Sequence, residues 1–440
     1  MMIDSNRTQR VRTALLTLLP VLGLACLLAP ADQFQSRLYA DDPIEMFRQW
    51  IAVEPASRPP LDAAPFASLP LSREDAEIAK ELLWDDYSRR LRQERAAEIE
   101  GKFVRLGELQ MKYEAVKLNL KPSDNQTQEQ NQPIQRLSLF ISMHGGGQTA
   151  ARVNESQWRN QIRLGQQYRP QQALYVAPRA PTDTWNLWHE AHIDRLFDRL
   201  ISTLVVTESV DPNQVYLMGY SAGGDGVYQL APRMADRFAA AAMMAGHPND
   251  ADPKGLRNLP FTIHVGENDK PFRRNEVAAQ WGQKLTELQE HDSQGYPHWV
   301  EIHAGKGHWM ELQDQSAIPW MQQYRRNLFP EKVVWRQAGV KHNRFYWLAV
   351  DPDSVSSGDE IVAVRKGQQI IIERPVGQAK IEILLDDQFI DLVLPIEVSL
   401  DGRIAYQGTV ERRIKTLSAT LEQRGDPTGM FSSSVILEEK

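Results

Sequence analysis

A serine lies between two glycines where an apolar run meets a helical pattern. In the stretch GYSAG, Gly219 and Gly223 flank Ser221, the run QVYLMG leads into it, and VYQLAPRMADRF follows. A serine hydroxyl becomes a useful nucleophile only when it stands clear of the backbone and a base takes its proton. A sharp strand-to-helix turn exposes the side chain, and glycines on both sides remove the atoms that would clash there. The pattern therefore predicts an activated nucleophile at Ser221.

A second glycine-rich stretch follows another apolar run. The residues His144, Gly145, Gly146 and Gly147 come directly after LSLFISM, which has the composition of a buried strand. Glycines in such a loop free backbone N–H groups to point at a carbonyl oxygen. We therefore predict an oxyanion hole formed by the N–H groups of Gly145 and Gly146 together with that of Ala222.

The base and the acid are expected beyond later strands. Asp269 lies in HVGENDKPF and His308 lies in AGKGHWM, and each follows a strand pattern. Loops at strand ends can bring side chains from distant sequence together. The alternatives left open are Asp250 or Asp252 for the acid and His298 or His303 for the base. The last two lie within a strand pattern, which favours wall or core positions.

Aromatic and histidine side chains near these loops are candidates for substrate contact. TDTWNLWHEAH follows the strand pattern ALYVAP, and its tryptophans can form an aromatic wall, although helix packing explains them equally well. The predicted substrate contacts are His144, Tyr220, Trp185, Trp188, His247 and Trp309. His189 and His192 have the spacing H-E-x-H, whereas zinc hydrolases need H-E-x-x-H. We therefore predict neither a metal site nor an organic cofactor.

The elements around these residues predict an α/β fold. Between residues 101 and 330 strand patterns alternate with helical ones, which indicates a mostly parallel sheet covered by helices on both faces. The helical patterns include one near residues 155–167 and a last one near 315–327, and the polar tract 121–135 is predicted to be an exposed loop. Residues 41–100 are predicted to be a helical extension, with a capping box at Ser72 and Asp75. Residues 331–440 read as short strands with a hairpin signal at Asp401 and Gly402, and they predict a separate small β-sandwich-like domain.

The composition and the first 40 residues bear on partners and location. The chain has 440 residues and a formal net charge of −7, which argues against nucleic acid as a partner. In residues 1–40, three arginines precede an apolar run over 14–28, and small residues follow at 29–31, which predicts a signal peptide and export to the periplasm or the medium. The alternative is an uncleaved membrane anchor. Cleavage is expected after Ala31 or Ala40.

The single cysteine is Cys26, inside the apolar run. A lipoprotein anchor at Cys26 is a further alternative. A chain cleaved after it would have no disulfide and no cysteine nucleophile. The oligomeric state is left open.

The motifs carry a family resemblance over residues 100–330. HGGG, GYSAG and the late Gly-His pair resemble the α/β-hydrolases, most closely the secreted esterases and polyhydroxybutyrate-depolymerase-like enzymes. The resemblance implies an ester substrate, small or polymeric. It also implies Ser221 as the nucleophile, Asp269 as the acid and His308 as the base. The implied oxyanion donors are Ala222, Gly145 and Gly146. The disulfides common in secreted depolymerases are impossible here, and the C-terminal β-region has no counterpart in the resemblance.

The predicted function is that of an exported serine esterase that works through a Ser–His–Asp triad and an acyl-enzyme. Gly224 extends the motif to G-x-S-x-G-G, which is also found in serine peptidases of the prolyl-oligopeptidase type. Such a peptidase should carry a large N-terminal propeller. A different alternative is a binding protein on a hydrolase fold, with residues 331–440 as its working part.

Overall fold

The computed structural model describes residues 42–120, 136–373 and 380–437. The predicted signal peptide or anchor at 1–40 and the polar loop predicted at 121–135 lie outside these ranges. The helices are α1 Pro43–Ala52, α2 Arg73–Glu94, α3 Ala96–Gly101, α4 Ala151–Tyr168, α5 Ala191–Thr207, α6 Ala222–Arg233, α7 Arg274–His291, α8 Ala317–Met321 and α9 Ile414–Arg424.

The strands fall into one large sheet and two smaller ones. The strands of the large sheet are β1 Phe103–Leu106, β2 Leu109–Leu118, β3 Leu137–Met143, β4 Ala173–Pro178, β5 Val210–Tyr220, β6 Ala240–Met244, β7 Phe261–Gly266 and β8 His298–His303. The strands of the smaller sheets are β9 Lys332–Arg336, β10 Arg344–Phe345, β11 Leu348–Val350, β12 Glu360–Lys366, β13 Gln369–Glu373, β14 Ile381–Leu385, β15 Ile396–Leu400, β16 Arg403–Gly408 and β17 Ser433–Leu437.

The large sheet has the order β1-β2-β4-β3-β5-β6-β7-β8. β1, β2 and β4 pair antiparallel, and every other neighbouring pair is parallel. Helices α5, α6 and α7 cover one face, while α4 and α8 cover the other. Every residue of β3, β4, β6 and β7 is therefore buried. This confirms the predicted α/β-hydrolase fold class, and it brings the ends of β3, β5, β7 and β8 to one edge.

The N-terminal extension is helical, and its long helix begins as expected. Ser72 Oγ accepts a hydrogen bond from the N–H of Asp75, and the Asp75 carboxylate accepts from the N–H of Ser72. Helix α2 packs mainly against the C-terminal helix α9 through a shared apolar cluster. Residues 42–101, which precede the first strand of the sheet, form helices and short 3₁₀ turns. This segment therefore contains no propeller of the kind expected for a prolyl-oligopeptidase.

The C-terminal region is strand-rich, as predicted, and its two sheets pack against each other. Trp335 of β9 stacks on Phe345 of β10 with ring centroids 5.9 Å apart. The turn between β15 and β16 has positive φ at both Asp401 and Gly402, as a two-residue hairpin requires. Helix α9 was not predicted, although Ile414, Leu417 and Leu421 form a helical stripe that is fully buried.

Buried ion pairs connect the C-terminal region to the large sheet's helices. Arg326 Nη2 lies 2.6 Å from Asp426 Oδ2, and both side chains are almost completely buried. Arg424 Nη2 lies 3.0 Å from Asp236 Oδ2 in the same region. The apolar core is also continuous between the two regions. The domain boundary predicted near 331 stays a prediction, and this packing shows that the two regions share one interior.

The last helix predicted for the hydrolase region, near residues 315–327, is shorter than expected. A 3₁₀ turn over Gln313–Ser316 leads into α8, which ends at Met321. Beyond the helix, the N–H of Arg326 donates to Asn213 O and its guanidinium enters the buried pair with Asp426. Among the described helices, none is both long and apolar enough to cross a lipid bilayer.

Candidate active site

Ser221 lies at the turn between β5 and α6 in a strained backbone conformation. Its φ is 58° and its ψ is −122°, a combination that costs of order 1–3 kcal/mol for a residue with a side chain. The turn is possible because residue 223 is a glycine and has no Cβ. A Cβ at this position would lie only 2.1 Å from the carbonyl oxygen of Met143, at the end of β3. Strand β3 therefore packs directly against the first turn of α6. The side chain of Ser221 faces a cavity.

Three side chains from different loops form one chain of hydrogen bonds. His308 Nε2 lies 3.0 Å from Ser221 Oγ, and His308 Nδ1 lies 2.8 Å from Asp269 Oδ2. A carboxylate only accepts, so Nδ1 carries the proton and Nε2 is free to accept the serine hydroxyl proton. Asp269 is completely buried, whereas 41% of the His308 side chain is exposed. The arrangement is that of a nucleophile, a base and a buried acid that orients it.

Tyr220 connects the nucleophile turn to the histidine loop. Its hydroxyl donates to the carbonyl oxygen of His308 at 2.6 Å and accepts from the N–H of Met310 at 3.1 Å. The ring packs edge-on against the His308 ring, with centroids 5.9 Å apart. Burial raises the pKa of Tyr220 well above its usual range, so the phenol stays protonated and able to donate. The residue before Ser221 therefore fixes the backbone that carries the base.

The loop after β7 holds Asp269 in place. Its N–H donates to Gly266 O, and its own carbonyl accepts from the N–H of Asn275 at the start of α7. Arg274 Nη1 lies 3.8 Å from Asp269 Oδ1. This second oxygen has no hydrogen-bond partner among the described residues. Arg274 thus places a positive charge near the acid and leaves its hydrogen bond to His308 undisturbed.

His144 is a buried part of the glycine loop and has no exposed surface. The N–H of Ala180 donates to His144 Nε2 at 3.2 Å, so the ring proton is on Nδ1, which donates to Gly145 O at 2.6 Å. Burial lowers the pKa of His144 to about 4. Because the C=O and N–H of one peptide point in opposite directions, the Gly146 N–H points away from the His144 ring. His144 therefore orients the loop and cannot contact substrate.

Asn154 is a second support of this loop, and it was not among the predicted site residues. Its Oδ1 accepts from the N–H of Gly147 at 3.0 Å, and its Nδ2 donates to Asp183 at 2.7 Å. Asn154 is completely buried, and a Cβ on Gly146 would lie 2.1 Å from its Oδ1. Gly146 also has a φ of 113°, which favours glycine. An asparagine just inside a helix that follows a glycine loop was the available signal.

The cavity beside Ser221 has a volume of about 620 Å³. Helix α4 provides one wall, which is rich in amide side chains, and Trp309 forms part of the opposite side. The lining residues are Gly145, Gly146, Val153, Gln157, Asn160, Gln161, Arg163, Leu164, Gln167, Tyr220, Ser221, His308 and Trp309. The helix was predicted near residues 155–167, but its contribution to the site was not. On the wall formed by α4, Arg163 carries the one positive charge, and none of the described lining residues is a carboxylate.

The predicted substrate contacts divide into two groups. Tyr220 and Trp309 line the cavity, as expected. Trp188 does not: its side chain is fully buried, and its Nε1 donates to His144 O at 2.9 Å. Its neighbour Trp185 is exposed and packs edge-on against His189 outside this cavity. The prediction for Trp188 is therefore corrected to a structural role, because the loop that bears it folds beneath the glycine loop.

His247 also lies away from the cavity lining. Its N–H donates to Asp225 Oδ1 at 2.6 Å, and its Nδ1 accepts from the N–H of Asn249 at 3.0 Å. Burial raises the pKa of Asp225, one turn after Ser221, to about 6. These contacts secure the loop after β6 to the start of α6.

The alternative acids and bases occupy other places. Asp250 accepts from Gln229, and Asp252 pairs with Arg336. His298 contacts Thr286 on α7, and His303 is buried against His264. The structure therefore brings Asp269 and His308 to Ser221 and leaves these four elsewhere.

Comparison with known proteins gives a family match within this region. Residues 167–324, which include Ser221, Asp269 and His308, match the model of the dienelactone hydrolase family. No curated protein matches the sequence. Among solved structures, a thermostable esterase is 17% identical over 51% of this chain and 62% of its own length, with a TM-score of 0.36.

Two further solved structures are similar to about half of the chain. A carboxylesterase from Mesorhizobium loti is 16% identical over 50% of this chain and 99% of its own length, with a TM-score of 0.34. LpqC, a poly(3-hydroxybutyrate) depolymerase from Bordetella parapertussis, is 17% identical over 53% of this chain and 94% of its own length, with a TM-score of 0.38.

Proposed function

We propose that this protein is an exported serine esterase using a Ser–His–Asp triad and an acyl-enzyme. The match of residues 167–324 to the dienelactone hydrolase family supports the hydrolase activity, and the pattern of residues 1–40 supports export. The observation that carries the proposal is the hydrogen-bonded chain from Asp269 through His308 to Ser221. Its substrate is a carboxylic ester, small or polymeric, that enters the cavity lined by Ser221 and His308.

In the first half of the reaction, His308 Nε2 takes the proton of Ser221 Oγ while the oxygen attacks the ester carbonyl carbon. The carbonyl π electrons move onto the oxygen, and the resulting negative charge needs donors that are already in place. Ala222 is the first residue of α6, so its N–H has no partner within the helix. Gly146 offers a second N–H from the loop that His144 and Asn154 hold.

The tetrahedral intermediate then collapses. The bond to the alcohol oxygen breaks, His308 gives its proton to the leaving alcohol, and an ester forms on Ser221 Oγ. In the second half, His308 takes a proton from water, the hydroxide attacks the acyl carbon, and the acid leaves as Ser221 regains its proton. The buried Asp269 stabilises the imidazolium in both halves, since its carboxylate accepts from Nδ1 throughout.

The experiment is labelling with a fluorescent fluorophosphonate together with hydrolysis of a p-nitrophenyl ester. Wild type is expected to label, and Ser221→Ala and His308→Ala to lose both label and turnover, with kcat falling by about 10⁴-fold or more. Ser356→Ala, on an exposed loop, and His298→Ala, whose ring hydrogen-bonds to Thr286 and to the carbonyl oxygen of Tyr296, are the matched controls. Folded wild type that neither labels nor turns over an ester would refute the proposal.

Two further measurements separate the alternatives. Faster turnover of a prolyl p-nitroanilide than of any ester would favour a peptidase. For export, fractionation of cells that express the chain with a C-terminal tag is expected to place it outside the cytoplasm. The amino terminus of the exported protein should begin after Ala31 or Ala40, and an intact amino terminus in the membrane fraction would indicate an anchor.

A further inference from the structure

Three side chains with metal-binding groups lie together on the edge of the large sheet, outside the Ser221 cavity. His264 of β7 is paired in register with Glu301 of the edge strand β8, and His303 follows two residues later. Because side chains alternate across a strand, all three project from the same face. One nitrogen or carboxylate oxygen of each lies within 4.8 Å of the others.

The hydrogen bonds fix the tautomer of His264. Thr262 Oγ1 donates to the carbonyl oxygen of Trp299 at 3.0 Å, so it accepts the proton of His264 Nε2 at 2.9 Å. The Nδ1 atom of His264 therefore has a free lone pair, and it faces His303 Nε2. Metal-binding histidines are commonly held in this way, with the far nitrogen bonded to a fixed acceptor.

The distance between the two facing nitrogens suits a metal ion. His264 Nδ1 and His303 Nε2 are 3.2 Å apart, at the upper end of hydrogen-bond distances. Two nitrogens bound to a tetrahedral zinc ion at about 2.0–2.1 Å are about 3.3 Å apart. The Trp299 ring packs edge-on against His264 with centroids 4.9 Å apart and restricts its rotation. The pair therefore needs little movement to share one ion.

Glu301 is the carboxylate of this group, and its side chain is partly exposed to solvent. Its Oε1 lies 3.7 Å from His303 Nδ1, and 40% of its side chain is exposed, so it can rotate toward the imidazoles.

We propose that His264, His303 and Glu301 bind one divalent transition-metal ion, with zinc as the ion to test first and water as a fourth ligand. The role is structural. Strand β8 leads into the loop that carries His308, five residues after His303, so an ion at this point ties the edge strand to β7 beneath that loop.

The test is titration of the metal-depleted full chain with ZnCl₂ by calorimetry and with CoCl₂ by visible absorption. Wild type is expected to bind one equivalent. His303→Gln should weaken binding at least 100-fold and Glu301→Gln about tenfold. His298→Gln is the matched control, since His298 lies on the same strand but contacts Thr286. The controls His298→Gln and His308→Ala should bind as wild type does.

A second measurement does not depend on ligand spectra. Zinc should raise the unfolding temperature of wild type and His298→Gln, and leave that of His303→Gln unchanged. Circular dichroism of each variant without metal shows that the fold is retained. Wild type without a one-equivalent site, or His303→Gln that binds zinc as tightly as wild type, would overturn the proposal. Neither readout depends on ester turnover.

Discussion

The hydroxyl of Tyr220 is the smallest group whose removal tests how the histidine loop is positioned. Tyr220→Phe keeps the ring that lines the cavity, but it removes a donor to His308 O and an acceptor for the N–H of Met310. The contact with Met310 N–H is buried and the contact with His308 O is partly buried, and leaving such polar groups unpaired costs about 1–3 kcal/mol each. We therefore expect the free energy of unfolding to fall by about 2–4 kcal/mol.

The same change should slow catalysis. With the loop released, His308 Nε2 loses its fixed distance from Ser221 Oγ, and a misplacement of about 1 Å can cost up to about 10²-fold in rate. We expect kcat to fall about 10- to 100-fold while KM changes less than about twofold, because the ring still lines the cavity. The assay is steady-state hydrolysis of a p-nitrophenyl ester, with urea unfolding of the same preparation.

Tyr228→Phe is the matched control. Tyr228 is fully buried on α6, and its hydroxyl has no hydrogen-bond partner among the described residues. Removing that hydroxyl should leave kcat unchanged and stability equal or slightly higher. If Tyr220→Phe keeps kcat within twofold of wild type, or loses no more stability than Tyr228→Phe, the two hydrogen bonds do not position the base and the reasoning is refuted.

Three other variants probe the supports of the site and the interior shared with the C-terminal region. Asn154→Ala leaves the Gly147 N–H unpaired, and we expect about 1–3 kcal/mol lower stability and about tenfold lower kcat, measured by urea unfolding and ester kinetics. Asp426→Asn breaks the buried pair with Arg326 and should cost about 3–5 kcal/mol in urea unfolding; an unchanged midpoint would contradict a shared interior. The pKa of buried His144 is about 4, so between about pH 6.5 and 4 the imidazole is protonated only in the unfolded chain. The free energy of unfolding should therefore decrease as the pH is lowered through that range. His144→Asn should reduce that slope by up to about 1.4 kcal/mol per pH unit, and an equal slope in both proteins would contradict a neutral buried ring.

Local patterns predicted much of the fold and the candidate triad. The alternation of buried strands and helices between residues 101 and 330 predicted a mostly parallel sheet, because both faces of such a sheet must be covered. Turn chemistry predicted the strained conformation at Ser221 and the hairpin at Asp401 and Gly402. Asp269 and His308 were placed at strand ends, and parallel strands bring such ends to one edge.

Other features follow from contacts between distant segments. Trp188 and His144 looked like substrate contacts, yet both are buried because the loop after β4 folds under the glycine loop. Helix α8 ends at Met321, and the chain beyond it is held by the pair of Arg326 with Asp426, 100 residues later.

The sequence by itself determined the nucleophile turn, the order of the catalytic candidates and the fold class, since these depend on local backbone chemistry and periodicity. Only the tertiary structure decided that Tyr220 holds the His308 backbone, that Asn154 holds the glycine loop and that His264 faces His303. Each of these is a contact of a few ångströms, between residues that are seven positions (Gly147 and Asn154) to 88 positions (Tyr220 and His308) apart in the chain. Its existence depends on strand register and packing, which no short stretch of sequence records.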